Sequence, residues 1–252
     1  MDDAPFRRAS WAPDGAIDTS ARMPEGHTIH RLARDHDRWF AGGSVTLTSP
    51  QGRFEEGARA LSGRTVRTVD AYGKHLFYHF EGGPILHVHL GLFGRFRMRK
   101  RPGGPLRGSP RMVLGNHERE VRLSGPTACE ILTRTELKAI HARLGPDPLR
   151  PRAPGKRFVD EMARRRRQSG AVLLDQSLIA GVGNVYRSEL LYLAGVHPLT
   201  PCHAVPRTTW TRVWHDAKAL LAIGVTLNRI VTVDPAERGR RTPRQLVRGE
   251  RV

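Results

Sequence analysis

The sequence predicts an α+β protein of two domains, and three features of the chain support this class. Residues 44–123 contain short runs of β-branched and aromatic residues that partly alternate with polar ones, as strands do. Residues 158–223 place their apolar residues at helical spacing instead. Residues 144–155, between the two, are rich in proline and glycine. We therefore expect a β-rich domain over residues 23–150 and a helical domain over residues 151–236.

The β-rich domain is predicted to open with a helix and to continue with strands. The helix begins after Thr28, and its apolar residues share one face: Ile29, Leu32, Ala33, Trp39 and Phe40. Strands are expected at residues 44–48, 65–71, 75–80, 85–98, 111–114 and 120–123, with a hairpin turn at glycines 82–83. Thr133 and Glu136 form a capping box that begins another helix, and Gly145 can end it.

The helical domain is expected to contain four helices, at residues 158–166, 171–178, 184–194 and 208–223. Gly195 follows the third helix at the position where glycine commonly ends one. The fourth helix carries an apolar stripe along one face: Trp210, Val213, Trp214, Ala217, Leu220 and Leu221. This pattern predicts a small helical core of its own.

The composition favours a polyanionic partner. The chain has 42 Lys and Arg against 24 Asp and Glu, a formal charge of +18, which suits nucleic acid or an acidic membrane surface. The alternative is a small basic protein that uses arginine freely. No apolar segment approaches the length of a membrane span, and the N-terminus lacks the apolar segment of a secretory signal, so we expect a cytoplasmic protein. Cys129 and Cys202 are too few for a disulfide framework or a four-thiolate zinc site.

Residues 179–184 form a glycine-rich turn before a predicted helix. Gly181 and Gly183 allow backbone N–H groups to approach a ligand closely, and the helix dipole favours an anion there. Asn184 can cap the helix and also reach a phosphate. A plain turn between two helices explains the pattern equally well. The basic charge of the chain favours the first interpretation, with a DNA phosphate as the anion.

Several segments share one order along the chain: MPEGHT at 23–28, YGKHL at 72–76, HVHLGLFG at 87–94, LGPDPL at 144–149, and LLDQSLIAGVGNVY at 173–186, followed by Glu189 and GVHP at 195–198. Together they resemble the formamidopyrimidine-DNA glycosylase / endonuclease VIII family, in particular its endonuclease VIII-like branch from actinobacteria. The resemblance implies an N-terminal β-sandwich with an N-terminal helix, then a helical domain with a helix–two-turn–helix motif. The zinc finger that usually ends such chains is not present, because the sequence has no CxxC motif.

The resemblance implies that Pro24, Glu25 and Lys74 are catalytic. A proline with a free nitrogen attacks C1′ of the damaged nucleotide, and the resulting iminium makes elimination of the 3′ phosphate feasible. Glu25 acts as general acid and base, for which a raised pKa is needed. Lys74 binds a phosphate beside the lesion. Without the resemblance, these residues suggest only the first turn of a helix, a favourable charge at its N-terminus and a solvated lysine.

The resemblance also implies five DNA-binding residues. His89 contacts the backbone, and Leu92 and Phe93 wedge into the duplex where the base is flipped out. Gly183 and Asn184 bind a phosphate. The alternatives are an ordinary strand histidine, core packing for the two apolar side chains, and a plain turn.

The two ends of the chain depart from the family pattern. Residues 1–22 are either a disordered leader or a misassigned start, and we favour the second because methionine removal at Met23 would expose Pro24. The arginine-rich tail, residues 237–252, resembles the stretch that usually leads to the finger. The chain is therefore expected to hold no metal or other cofactor, and zinc is expected only if the sequence is truncated.

The expected function is base-excision repair of damaged double-stranded DNA. The enzyme would be a DNA glycosylase with AP lyase activity that removes oxidised bases through a Schiff base on Pro24, acting as a monomer near the nucleoid. The alternative is a catalytically inactive DNA-damage-binding homologue, with a blocked N-terminus and no finger.

Overall fold

The computed structural model describes residues 24–101 and 108–232, and the expected leader and arginine-rich tail lie outside these ranges. The first element is helix α1, Gly26–Phe40, and a short helix α2, Glu55–Leu61, follows the first strand. Eight antiparallel strands form two four-stranded sheets. The first sheet has the order β2 (Val66–Tyr72), β3 (His75–Phe80), β4 (Ile85–His89), β8 (Ala128–Leu132). The second has the order β1 (Thr46–Thr48), β6 (Met112–Gly115), β7 (Arg119–Ser124), β5 (Arg95–Lys100).

The two sheets pack face to face, because alternate side chains of their strands are apolar and point inward. Buried residues from both sheets and α1 form one core, which includes Ile29, Leu32, Phe40, Leu76, Tyr78, Leu86, Val88, Leu114, Val121 and Leu123. The predicted β-sandwich with an N-terminal helix is confirmed.

The opposite face of the first sheet packs on helix α3, Arg134–Arg143. The predicted capping box begins this helix: the Glu136 amide donates to Thr133 Oγ1 at 3.2 Å, and the Thr133 amide donates to Glu136 Oε2 at 2.7 Å. The helix ends at Arg143 with Leu144 extended, so Gly145 does not end it as expected. The Gly145 amide instead donates to the Gln176 carbonyl at 2.8 Å, which ties this segment to the helical domain.

The rest of the chain is helical, as predicted. It contains α4 (Gly155–Arg164), α5 (Ser169–Val172), α6 (Asn184–Ala194) and α7 (Arg207–Leu227). Their buried side chains form a second core, which includes Phe158, Met162, Tyr186, Leu190, Trp210 and Leu221. Gly195 ends α6 in the left-handed conformation, with φ of 66°. Within the described residues, no helix has both the length and the apolar character needed to cross a membrane.

Two expectations about the elements need correction, and two further elements were missed. Residues 85–98 are not one continuous β stretch: the chain turns at Gly91, with φ of 64°, and places β4 and β5 in different sheets. The helix expected at residues 171–178 extends only over Ser169–Val172, because the chain then forms turns stabilised by the Asp175 and Gln176 side chains. Helix α2 and strand β8 were not predicted, since neither carries a clear apolar period.

Candidate active site

The carboxylate of Glu25 lies at the N-terminus of helix α6, where the β-rich and helical domains meet. Glu25 Oε2 accepts from the Gly183 amide at 2.8 Å, and Oε1 accepts from the Val185 amide at 2.8 Å. Amides in the first turn of a helix have no partner within the helix, and the helix dipole favours a negative charge there. Glu25 therefore supplies the cap of α6 from the other domain. We had expected Asn184 to cap this helix, but the capping position is Gly183, which offers no side chain.

Glycines allow this close approach. The Gly26 amide donates to the Gly181 carbonyl at 2.8 Å, and a Cβ on Gly26 would lie 2.9 Å from Gly181 Cα. A Cβ on Gly183 would lie 2.5 Å from the Glu25 carboxyl carbon. Gln176 fixes the turn, because its side chain accepts from the Gly181 amide at 2.9 Å and donates to the Val182 carbonyl at 2.8 Å. The glycine-rich turn is thus a packing surface for the start of α1.

Burial raises the pKa of Glu25 above the usual range of a carboxyl group. The amides of α6 and the positive charge of Lys74 act in the opposite direction and only partly offset that burial. Burial lowers the pKa of Lys74, and the Glu25 charge raises it. The two groups are therefore electrostatically coupled in a partly dehydrated site, where a carboxyl group holds a proton more readily than it does in water.

Pro24 lies directly before Glu25 and is buried. Helix α1 begins at Gly26, so the helix start and the Gly26–Gly181 hydrogen bond fix the backbone on the C-terminal side of Pro24. The structure thus brings Pro24, Glu25, Lys74 and the start of α6 to one place, the junction of the two domains.

Asp147 holds the same junction, although we assigned it no role. Its buried carboxylate accepts from His30 Nε2 at 2.7 Å, from the Gly73 amide at 2.8 Å and from the Leu149 amide at 2.9 Å. His30 lies on α1, and Gly73 begins the turn that carries Lys74. Asp147 therefore connects the helix that follows Pro24 with the turn of Lys74. The sequence did contain a signal for Asp147, because the LGPDPL segment that includes it is one of the motifs that match the family.

The remaining predicted residues lie on the first sheet, in the turn that follows it and on helix α6. His89 is the last residue of β4. Burial lowers the pKa of its imidazole, and nearby positive charges, including that of Lys74, lower it further. Leu92 and Phe93 lie in the turn between the two sheets and are 60% and 82% exposed. The alternative that these two side chains pack in the core is therefore wrong, and both are available to a ligand. Asn184 is exposed in the first turn of α6, whereas the Gly183 amide is occupied by Glu25.

Comparisons with known proteins identify the family. The family model of the formamidopyrimidine-DNA glycosylase N-terminal domain matches residues 23–129, and that of the formamidopyrimidine-DNA glycosylase H2TH domain matches residues 144–234. Endonuclease 8 1 of Mycobacterium tuberculosis is 46% identical over 217 residues, covering 84% of this chain and 81% of that protein. This chain belongs to the formamidopyrimidine-DNA glycosylase family. The expected family and its helix–two-turn–helix domain are confirmed.

Other members of the family extend the comparison. Probable endonuclease 8 2 of Streptomyces coelicolor is 37% identical to this glycosylase-family chain over 205 residues, covering 79% of this chain and 73% of that protein. Among solved structures, the Lactococcus lactis Fpg (MutM) in complex with DNA that contains N7-benzyl-Fapy-dG superimposes with a TM-score of 0.72 at 20% identity. That match covers 84% of this chain and 82% of the other and supports the same fold.

The residues do not fit a zinc site in the part of the chain that the structure describes. No group of three or more His, Cys, Asp or Glu side chains in these ranges is arranged to hold a metal ion. Cys129 lies in β8 and Cys202 is buried in the helical core, so the two thiols belong to different domains. The expectation about a finger concerns residues outside the described ranges.

Proposed function

We propose that this protein is a base-excision-repair DNA glycosylase with AP lyase activity that removes oxidised bases from duplex DNA. The nitrogen of Pro24, once it is the free N-terminus, attacks C1′ of the damaged nucleotide. The bond from C1′ to the base breaks, and an iminium joins Pro24 to the opened sugar. The iminium accepts electrons when the C2′ proton is removed, so the bond to the 3′ phosphate breaks next.

The position of Glu25 carries this proposal. A glutamate that served only to cap a helix would gain from being ionised and exposed. Glu25 instead is 1% exposed, its pKa is raised by burial, and it follows Pro24 directly. A protonated carboxyl group in this place can give its proton to the ring oxygen of the deoxyribose as C1′ is attacked. The α6 amides then stabilise the carboxylate that forms.

Damaged double-stranded DNA is the proposed partner. The formal charge of +18 suits a polyanion, and Lys74, His89 and Asn184 would contact backbone phosphates near the site. The exposed Leu92 and Phe93 would enter the duplex and fill the space left by the flipped nucleotide. Gly183 contributes indirectly, because its amide holds Glu25. We propose that the protein acts as a monomer, in the cytoplasm at the nucleoid.

Borohydride trapping on abasic duplex DNA tests the proposal. Borohydride reduces an iminium to a stable amine and so links enzyme to DNA covalently. A chain that starts at Pro24 after methionine removal should be trapped, and Pro24→Gly should be trapped more weakly through its primary amine. An intact chain that starts at Met1, confirmed by mass, should not be trapped, because its Pro24 nitrogen is an amide.

Two outcomes would contradict the proposal. Equal trapping of both chains would mean that another amine, such as Lys74, is the nucleophile. Tight binding to damaged DNA without trapping of either chain would favour the inactive damage-binding homologue. Both chains are compared at low salt and at the same DNA concentration, because phosphate contacts weaken as salt rises.

A further inference from the structure

The first sheet carries a histidine cluster on the face away from the sandwich core. His75 and Phe77 alternate with the core residues of β3, and His87 and His89 alternate with those of β4. In the sheet register, His75 is paired with His89, and Glu130 of β8 is paired with His87. These polar residues therefore share one surface, which begins next to Lys74.

Hydrogen bonds order three members of the cluster into a chain. His87 Nδ1 lies 2.9 Å from Glu130 Oε1, and His75 Nδ1 lies 2.8 Å from His87 Nε2. The Glu130 carboxylate accepts, so His87 donates through Nδ1 and must accept through Nε2. His75 then donates through its own Nδ1. We call Glu130, His87 and His75 the histidine relay.

His75, at the end of the relay, contacts His89, the residue that we propose binds a DNA phosphate. The ring of His89 lies against the ring of His75, with centroids 4.8 Å apart and planes inclined by 46°. The ring of His75 also stacks on Phe77, 6.2 Å away and nearly parallel. His75 is thus fixed by a hydrogen bond and by stacking, and it forms one wall against which His89 packs.

The pKa shifts of His75 and His87 are consistent with this order of donors and acceptors. Burial lowers the pKa of His75 to about 3, assisted by the neighbouring His89, His87, Arg143 and His141. Burial also lowers the pKa of His87, although Glu130 acts in the opposite direction. Burial therefore favours the neutral form of both rings, and each neutral ring has one donor and one acceptor nitrogen, as the chain of hydrogen bonds requires.

We propose that Glu130, His87 and His75 are positioning residues that hold the imidazole of His89 for a DNA phosphate. A ring held in place before binding loses less freedom when it meets its ligand, so fixing His75 strengthens the contact that His89 makes. The inference rests on the proposed function, because the phosphate contact of His89 comes from there. It adds three residues to the proposed DNA-binding machinery, one of which, Glu130, lies on β8 opposite His87.

Glu130→Gln tests the relay, because the relay predicts weaker DNA binding whereas the change of charge alone predicts tighter binding. Removing a negative charge makes the protein more cationic, which should tighten DNA binding slightly. The amide of Gln can either accept from His87 Nδ1 or donate to it, so it no longer fixes the donor order of the relay. Binding to an abasic-analogue duplex should therefore weaken by about threefold to tenfold, the worth of one hydrogen bond. Glu118→Gln is the matched control: its side chain is 66% exposed against 53% for Glu130, and it lies beside His117.

The same pair of substitutions in a His89→Ala background shows whether Glu130 acts through His89. Glu130→Gln should have no further effect on binding there, because the residue that it positions is missing. The loss in Glu130→Gln should appear as a higher KM for cleavage of the duplex more than as a lower kcat, because the relay is proposed to act on binding. Nitrogen NMR of the imidazoles should find protonated Nδ1 in His87 and His75 of the wild type and a mixture in Glu130→Gln.

The outcomes separate the relay from the proposed function. If the wild type binds the duplex but Glu130→Gln behaves like Glu118→Gln, or weakens binding equally in the His89→Ala background, the relay is wrong. If the wild type shows protonated Nε2 in His87, the assigned donor order is wrong. If the wild type does not bind the duplex at all, the proposed function fails, and the role of the relay in DNA binding fails with it.

Discussion

Glu25 Oε2 accepts a hydrogen bond from the Gly183 amide at 2.8 Å, across 158 positions of sequence and between two domains. Helix α6 needs an acceptor at its N-terminus, and the site needs a carboxyl group held in place beside Pro24. One side chain meets both needs. The helix–two-turn–helix domain therefore contributes directly to the site, because the first turn of α6 positions the carboxyl group of Glu25, the proposed general acid.

Glu25→Gln should strongly slow base release while leaving DNA binding intact. The amide has nearly the shape of the carboxyl group but cannot deliver its proton, so single-turnover release of an oxidised base should fall by roughly 10²-fold or more. Some nicking of abasic DNA should survive, because no base has to leave. Glu118→Gln serves as the control for the lost charge. Unchanged base release in Glu25→Gln would remove Glu25 from the mechanism.

Gly183→Ala should displace the carboxyl group of Glu25 without changing its chemical structure. The added Cβ would lie 2.5 Å from the Glu25 carboxyl carbon, so the side chain must move away from the α6 amides. We expect slower base release with DNA binding retained, measured by single-turnover kinetics and by binding to an abasic analogue. Gly43→Ala is the control, since its Cβ would meet only the Phe40 carbonyl at 3.6 Å. Full activity of Gly183→Ala would contradict the packing described here.

Lys74→Met should move the pH dependence of base release upward. The Lys74 charge lowers the pKa of Glu25, so its removal raises that pKa further. Glu25 acts in its protonated form, so activity is present below its pKa and is lost as pH rises through it. The alkaline limb should therefore shift to higher pH in Lys74→Met, although the variant is slower overall. Lys74→Arg keeps the charge and should keep the limb in place. Identical limbs would show that the two groups are not coupled.

Phe93→Ala should weaken binding to damaged duplex by about tenfold without changing the stability of the protein. The side chain is 82% exposed, so its loss should alter the free energy of unfolding by less than about 0.5 kcal/mol. Its insertion between bases would be lost. Tyr192→Ala is a matched control, because Tyr192 is 83% exposed on the helical domain. Equal binding by both variants would argue against a wedge at this turn.

Asp147→Ala should destabilise the fold and slow the enzyme together. It removes a buried acceptor from three hydrogen bonds and leaves the His30 ring and the Gly73 amide without it. The expected loss in the free energy of unfolding is about 2 to 4 kcal/mol, measured by urea titration. Asp160→Ala, which removes an acid from solvated pairs with Arg207 and Lys156, should change stability little. A small effect of Asp147→Ala would mean that the junction is held by other contacts.

The sequence by itself determined most of the local structure and the family. Helix α6 and strand β3 begin and end where their apolar patterns and flanking glycines predict. The motif around Pro24 and Glu25 pointed to the proposed chemistry only through its resemblance to a known family, since the two residues alone suggest no more than the start of a helix. The two-domain organisation followed from the change of period near residue 150, since strands and helices bury alternate and every third or fourth residue respectively.

Only the tertiary structure decided how these parts act together. The local sequence predicts Glu25 as a charge at the start of α1, yet its carboxylate caps α6. The reason is that Glu25 is buried at the domain junction, where the α6 amides are its hydrogen-bond partners. Strand β8 exists because it pairs with β4, and that pairing also places Glu130 opposite His87. Asp147 gains its role by meeting His30 and Gly73, which lie far from it in sequence. Such contacts arise between distant segments, so no local period or propensity encodes them.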